Sequence, residues 1–378
     1  MPIGTRHLGE NLVSNGVDVS FWATGDKQDE QVLSNEGLSP HLYPAEWPVG
    51  WRRSPKLVSA LAEFADRMNI FHIHEVWNYP QLMAARIAHS KGIPYILAPR
   101  ASLEPWKMRY KGFKKKVYLS LVGDRMLRNA VCLHAVASAE VEGFRKVGYR
   151  GPAFVINNGI VPEKFEQLPE PSIADAMWPI ISDRRVVLFL SRLSPEKGLE
   201  QLIPAWASVI KNRKFSDAVL VIAGPDDRGY RSVVEERIKS FDVGENTLLT
   251  GMIGGNIKLA LMNRADIYVL PSYSEGFSNS LLENMAVGTR VIITPGCNFP
   301  EAIEAGAGVC VAPDQKMIAE ALQGFLEMSC EQRRIIGFKG HNLVMEKYTW
   351  DVAARKLITV YNAILEGKEI PLYPQPCN

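Results

Sequence analysis

The chain has 378 residues, against a prior of roughly 150 per domain, so two domains are expected. Hydrophobic residues make up 47% and charged residues 22%, which excludes wholesale disorder, collagen and a disulfide mini-scaffold. Lys plus Arg is 43 and Asp plus Glu is 41, a net charge of +2, so global charge gives no reason to invoke nucleic acid.

The five cysteines are Cys132, Cys297, Cys310, Cys330 and Cys377. Their number is odd and none form a CxxC pair. A zinc ribbon or disulfide framework is not expected, and a reducing compartment fits best. The apolar runs are strand-length, far short of the ~20 residues of a membrane helix. The amino terminus lacks a basic stretch followed by an apolar core, so no signal peptide is expected. The expected location is cytoplasmic.

In chain order, Met1-Pro-Ile-Gly4-Thr-Arg-His opens a segment that reads as helix to Asn15, with Gly16 as its stop. A strand is expected over Val17–Ala23. Further strands are expected over Ile70–Val76, Pro94–Ala98, Val131–Ala137 and Ala153–Asn157. A second series is expected over Arg185–Leu190, Ala218–Ala223, Thr247–Gly251, Ile267–Pro271, Arg290–Thr294 and Gly308–Val311. Amphipathic segments such as Lys56–Met68, Gln81–Lys91, Leu199–Lys211 and Met317–Met328 lie between them. Alternation of this kind predicts parallel sheets covered on both faces. The expected fold class is therefore α/β, with two Rossmann-like domains in tandem. Their ligand edges, at the carboxyl ends of the strands, would make a cleft if they faced each other.

The expected domains are residues 1–165 and 166–349, with the Pro- and Glu-rich stretch to Pro171 as a poor core former between them. The last helix, about 350–367, is a candidate to cross back to the first domain. A doubly wound domain normally opens with its central strand and a glycine-rich turn. Here that strand is expected to be absent, with Met1–Gly4 expected as the remnant of the turn. Neighbours of a missing strand expose unpaired N–H and C=O groups.

Two loops carry candidate chemistry. Ser191-Arg192-Leu-Ser-Pro-Glu-Lys197-Gly198 follows an apolar strand and precedes a helix. A helix start with a nearby Arg and Lys suits an anion, and the spacing suits a diphosphate. A solvated loop with basic residues is the plainer alternative. Pro271-Ser-Tyr-Ser-Glu275-Gly-Phe-Ser-Asn-Ser-Leu-Leu-Glu283 follows the next candidate strand. Gly276 permits close backbone approach, and free N–H groups at the helix start would face an anion or hydroxyl. Glu275 and Glu283, eight residues apart, would hold a sugar and a ribose, since carboxylates accept hydroxyl hydrogen bonds strongly. A charged cap and a surface glutamate are the alternative.

Several segments in order carry a resemblance. They are Phe71-His-Ile-His-Glu-Val-Trp77, Ala98-Pro-Arg-Ala-Ser-Leu-Glu-Pro-Trp106, Val155-Ile-Asn-Asn-Gly159 and Leu190–Gly198. Val221-Ile-Ala-Gly-Pro-Asp226, Ala265–Ser272 and Ser274–Gly288 complete the set. From about Phe71 to Tyr348 the chain resembles the family 4 (group 1) retaining glycosyltransferases with the two-Rossmann GT-B fold. Within that family it is most similar to enzymes that build extracellular or surface polysaccharides.

The resemblance puts Arg192 and Lys197 on the donor diphosphate and Glu275 near the donor sugar, as the first acid of the E-x7-E motif. It puts the amides of Phe277, Ser278 and Asn279 near sugar and phosphates, and Glu283 on the ribose. It puts Thr250 and Gly251 near the base, with Gly224 in the same donor set. It implies a metal-independent reaction with retention, no cofactor beyond the nucleotide-sugar co-substrate, and a glycan or lipid-linked glycan acceptor. Family frequency favours UDP over GDP. Gly4, His74 and Arg100 are the acceptor-side candidates.

Many relatives have His where this chain has Arg100, and Gly where it has Ala101. Arg100 stays protonated and cannot be a general base. His72 and His74, two apart on a strand, face one side, but no third metal ligand accompanies them.

Lys107, Arg109, Lys111, Lys114, Lys115 and Lys116 interleave with Trp106, Met108, Tyr110, Phe113 and Tyr118. That mix suits a solvated helix face, or an anionic membrane surface or lipid-diphosphate acceptor. Two competing functions share the two-domain plan. One is a sugar-nucleotide 2-epimerase, which the E-x7-E arrangement disfavours. The other is a donor-binding but inactive partner subunit, motivated by Arg100 and the shortened start.

Overall fold

The structure is a computed structural model that describes residues 3–25, 39–104, 108 and 112–371. The chain divides into two compact units: Met1–Gly159 with Trp350–Asn378, and Ile160–Thr349. The seam thus falls just ahead of the 165/166 boundary. The reason is local: Ile160 bridges Thr349 as a strand would, and Phe165 is buried.

The first unit contains six described strands. They are β1 (Ser20–Thr24), β2 (Ser39–Tyr43), β3 (Phe71–His74), β4 (Tyr95–Ala98), β5 (Cys132–Ala135) and β6 (Ala153–Val155). They do not form one sheet. β3, β4, β5 and β6 pair side by side in that order, all parallel, while β1 and β2 pair parallel as a separate ribbon. A cavity of about 590 Å³ is lined by both β1 and β3, with the first helix and Leu57 and Leu61 also on its walls. β3 spends the amides of Phe71 and Glu75 on the β4 side. By parallel alternation the backbone groups of His72 and His74 face the other way.

Two expectations need correction. The first strand starts at Ser20, not Val17, because the Val17 amide caps the preceding helix by bonding to Leu12 O at 3.0 Å. Gly4 is not in a loop. It lies in the helix Ile3–Ser14, where an added Cβ would come within 3.2 Å of the Trp350 ring. The same face brings His7 beside Trp350, and Asn15 Nδ2 donates to Asp351 Oδ1 at 3.0 Å. The helix Trp350–Leu365 therefore packs in the first unit, its buried stripe running through Trp350, Ala354, Leu357 and Tyr361.

The second unit is one parallel sheet of six strands. In chain order they are β7 (Arg185–Leu190), β8 (Ala218–Ala223), β9 (Thr247–Gly251), β10 (Ile267–Leu270), β11 (Arg290–Ile293) and β12 (Gly308–Cys310). Their spatial order is β12-β11-β10-β7-β8-β9. The central strands are near-continuous apolar runs because helices cover both faces; Val187, Leu188, Phe189, Leu220 and Val269 are fully buried. The chain runs outward one way from β7 and the other way from β10. The crevice beyond the carboxyl ends of these two neighbours is the switch point where such folds bind ligands.

Candidate active site

Both candidate loops leave the sheet at that switch point, one after β7 and the other after β10. Their central charges meet. Lys197 Nζ lies 2.6 Å from Glu275 Oε1, with Lys197 6% and Glu275 8% exposed. Ser272 Oγ donates to the same carboxylate oxygen at 2.6 Å. The backbone around Glu275 is clamped as well. Its amide donates to Gly296 O at 2.7 Å, and Asn298 Nδ2 donates to its carbonyl at 2.6 Å. Taking a lone charge out of water costs several kcal/mol; here Oε1 of the carboxylate is both ion-paired and hydrogen-bonded.

Glycine makes the close approach of the loops feasible. Gly198, at φ 73°, turns the chain into the helix Leu199–Ile210, and a Cβ there would lie 2.0 Å from Pro271 O. Gly224, at φ 144°, passes so close to Ser191 that a Cβ would lie 1.9 Å from its carbonyl oxygen. Only a residue without a Cβ fits either position.

The helix Asn279–Val287 begins at the candidate site. Its N-cap is Ser278, whose Oγ accepts from Leu281 N at 3.3 Å. The amides of Phe277 and Ser278 have no backbone partner among the described residues. Such amides at a helix start favour negative charge or a hydroxyl oxygen. The Phe277 side chain turns the other way, into an aromatic cluster with Phe299 and Tyr348. Asn279 is the first helical residue. Glu283, further along the helix, is held by Lys258 Nζ at 2.6 Å.

Other expected residues are nearby in the fold but not joined to the buried pair. Arg192 is half-exposed, and its guanidinium goes to Asp227 at 2.9 Å and Glu196 at 3.6 Å. Gly224 N donates to Gly251 O at 2.9 Å, joining the ends of β8 and β9. Thr250 Oγ1 also donates to that carbonyl, at 2.9 Å. The sequence alone does not mark out Ser272, Gly296, Asn298 and Lys258. The signals available were the Pro295-Gly296 turn and Asn298, which has a left-handed backbone at φ 53°.

In the first unit, His74 and Arg100 come together. Arg100 Nε donates to His74 Nδ1 at 3.1 Å, and its Nη1 donates to Asn158 Oδ1 at 3.0 Å. Arg100 and Ala101 both have left-handed backbone, at φ 54° and 60°, where side chains are strained. His72 instead joins a part-buried chain. Its Nδ1 lies 2.7 Å from Tyr361 Oη and its Nε2 lies 3.2 Å from His134 Nδ1. His134 Nε2 lies 2.9 Å from Ile156 O.

Burial, then neighbouring His residues and Arg100, pushes His72 well below the ordinary imidazole value. Burial, then Arg100 and His134, does the same to His74. Burial and Arg100 bring His134 down to about 3. Burial also lowers Arg100. His134, Tyr361 and Asn158 do not stand out in the sequence; only the fold brings the first two to His72 and the third to Arg100.

Of the basic cluster, Lys107, Arg109 and Lys111, with Trp106 and Tyr110, lie outside the described residues. Lys114 and Lys116 are exposed, while Lys115 Nζ sits over the Trp77 ring at 5.2 Å.

Residues 174–342 match the family model described as Glycosyl transferases group 1, and residues 2–159 match the Glycosyl transferase 4-like domain. An uncharacterized glycosyltransferase of Methanocaldococcus jannaschii is 30% identical over 97% of this chain and 95% of its own. The capsular polysaccharide biosynthesis glycosyltransferase CapM of Staphylococcus aureus is 24% identical over 68% of each. The solved structure of Anabaena HepE in complex with UDP-glucose superposes with a TM-score of 0.76 over 97% of both chains, at 18% identity. The chain is a group 1 glycosyltransferase of the family 4 type, with the α/β GT-B fold.

Proposed function

We propose that this glycosyltransferase moves a sugar from UDP to a growing, lipid-linked glycan in polysaccharide biosynthesis, with retention and without a metal ion. The observation that carries the reading is the buried Lys197–Glu275 pair at the switch point, beside the start of the helix Asn279–Val287. A preorganised cation and helix amides in a water-poor site are what a leaving diphosphate needs.

In this reading Arg192 and Lys197 hold the diphosphate, and the amides of Phe277, Ser278 and Asn279 face the sugar and phosphates. Glu275 holds the donor sugar. Glu283 takes the ribose hydroxyls and shares its carboxylate with Lys258. Gly224, Thr250 and Gly251 border the base. The first unit takes the acceptor, with Gly4, His74 and Arg100 on that side. The enzyme supplies position and charge stabilisation, and the leaving phosphate oxygen takes the acceptor proton. HepE was solved with UDP-glucose, which supports UDP, and CapM serves capsular polysaccharide synthesis, which supports the acceptor class. The exposed apolar and basic helix at Gly112–Tyr118 supports peripheral association with the inner membrane face.

Titration calorimetry with UDP, UDP-glucose and GDP-mannose tests the donor, followed by product analysis with lipid-linked acceptors. Binding of UDP-sugars with transfer is expected. No binding of any nucleotide sugar overturns the reading. Binding without transfer or hydrolysis favours the inactive partner subunit, and an epimerised donor favours the 2-epimerase.

A further inference from the structure

We propose that Arg100 is a positioning residue that fixes the ring proton of His74 on Nε2, so that His74 meets a sugar hydroxyl as a hydrogen-bond donor rather than as a base. This rests on the reading that the first unit takes the acceptor.

The argument begins with donors and acceptors. A guanidinium has no acceptor atom, so the 3.1 Å contact from Arg100 Nε requires a lone pair on His74 Nδ1. A neutral imidazole with its lone pair on Nδ1 carries its proton on Nε2. Arg100 is itself fixed by Asn158 and by its left-handed backbone at the end of β4. Asn158 thereby becomes part of the same positioning device.

The neighbouring imidazoles resolve by the same logic. Ile156 O only accepts, so His134 Nε2 must carry the proton and His134 Nδ1 must accept. His72 Nε2 therefore donates to it, and His72 Nδ1 accepts from the Tyr361 hydroxyl. Every ring nitrogen of His72 and His134 is committed. Nε2 of His74 has no partner among the described residues. His74 lines the cavity of about 590 Å³, together with Asn78 and Gln81, whose amides suit hydroxyl groups. Burial keeps the imidazole neutral, so the tautomer decides its role.

The consequence is a division of labour. An Nε2–H can orient a lone pair of the attacking hydroxyl oxygen but cannot remove its proton. The hydroxyl keeps that proton for the leaving phosphate oxygen.

The test is nitrogen-15 NMR of the full chain labelled at histidine, at neutral pH. The parent should show His74 with a protonated Nε2 and an unprotonated Nδ1. Arg100→Met should spread the proton over both nitrogens, and Arg100→Lys, which keeps a donor, should restore the parent pattern. The unchanged signals of His72 and His134 report that each variant is folded. Titration with methyl α-glucoside, as a sugar-hydroxyl probe, should shift Nε2 of His74 in the parent and lose most of that shift in Arg100→Met. A proton on Nδ1 in the parent, an Arg100→Met spectrum like the parent, or an Nε2 signal indifferent to the glucoside each overturns the proposal. UDP affinity is measured on the same samples. Its absence counts against the donor reading and leaves the tautomer result standing.

Discussion

Lys197 and Glu275 were legible as residues because each sits just past an apolar strand and beside a glycine. Their partners were not. Ser272, Asn298 and Lys258 acquire meaning only when the β10 and β11 loops and the helix Gly255–Arg264 are brought together. The buried pair makes the first prediction. Lys197→Ala should lower kcat about 10²–10³-fold, the usual loss for one preorganised charge-stabilising group. Removing one member of a buried pair also costs about 3–5 kcal/mol of stability, so thermal unfolding must accompany the kinetics. A Lys197→Ala/Glu275→Gln double variant should recover stability without recovering turnover. An unchanged kcat removes Lys197 from the mechanism. Glu283→Ala tests the ribose role. A charged hydrogen bond is worth roughly 1.5–3 kcal/mol, so calorimetry should show donor affinity falling by about ten- to a hundredfold. UDP alone should lose as much as the UDP-sugar, and equal affinity in parent and variant assigns the ribose elsewhere.

At the scale of elements, legibility followed hydrophobic patterning. Most of the second unit's strands are largely apolar runs, and the expected and observed spans agree to within a residue or two. β2 is not legible in the sequence because Ser39-Pro-His-Leu-Tyr43 has neither alternation nor a β-branched residue. It is a strand because β1 pairs with it. The cross-chain links of the helix Trp350–Leu365 were equally hidden, since nothing local says that Tyr361 will meet His72 on β3. That contact ties three distant elements through neutral imidazoles and makes a pH prediction. His72, His74 and His134 all have folded values below the free imidazole, about 3 for His134. Below pH ~6.5 the unfolded chain binds protons that the folded chain refuses. The stabilisation from these groups is complete above that pH and falls progressively as the pH drops towards the folded values. Thermal unfolding followed between pH 7.5 and pH 5 should show the first unit losing stability. A His134→Gln variant, which retains a donor for Ile156 O, should flatten the dependence. An unfolding midpoint that ignores pH over this range would show that the chain is not neutral in the folded protein.

The whole molecule has a net charge of +2, too small to bring it to a membrane, so any such attraction must be local. No helix among the described residues is long and apolar enough to cross a membrane. The helical stretch from Gly112 supplies the local feature. Phe113, Val117 and Leu121 follow one another at four-residue spacing, and Phe113 is 81% and Leu121 72% exposed. Lys114 and Lys116 flank that stripe, while Lys115 turns back onto Trp77. An apolar stripe edged by lysines is the pattern of a helix lying in the interface of an anionic bilayer. Each basic residue near such a surface is worth about 1 kcal/mol, so Lys114 and Lys116 act weakly alone and need the apolar stripe to hold the contact. The two contributions separate in liposome sedimentation. A Lys114→Ser/Lys116→Ser variant should lose the preference for anionic lipid, and raising salt should mimic it, since the Debye length shrinks from ~10 Å at 0.1 M to ~3 Å at 1 M. A Phe113→Ser/Leu121→Ser variant should lose binding that salt does not remove. If both variants sediment like the parent, or if anionic lipid makes no difference, this helix is a solvated face and the lipid-linked acceptor must be reached by another route.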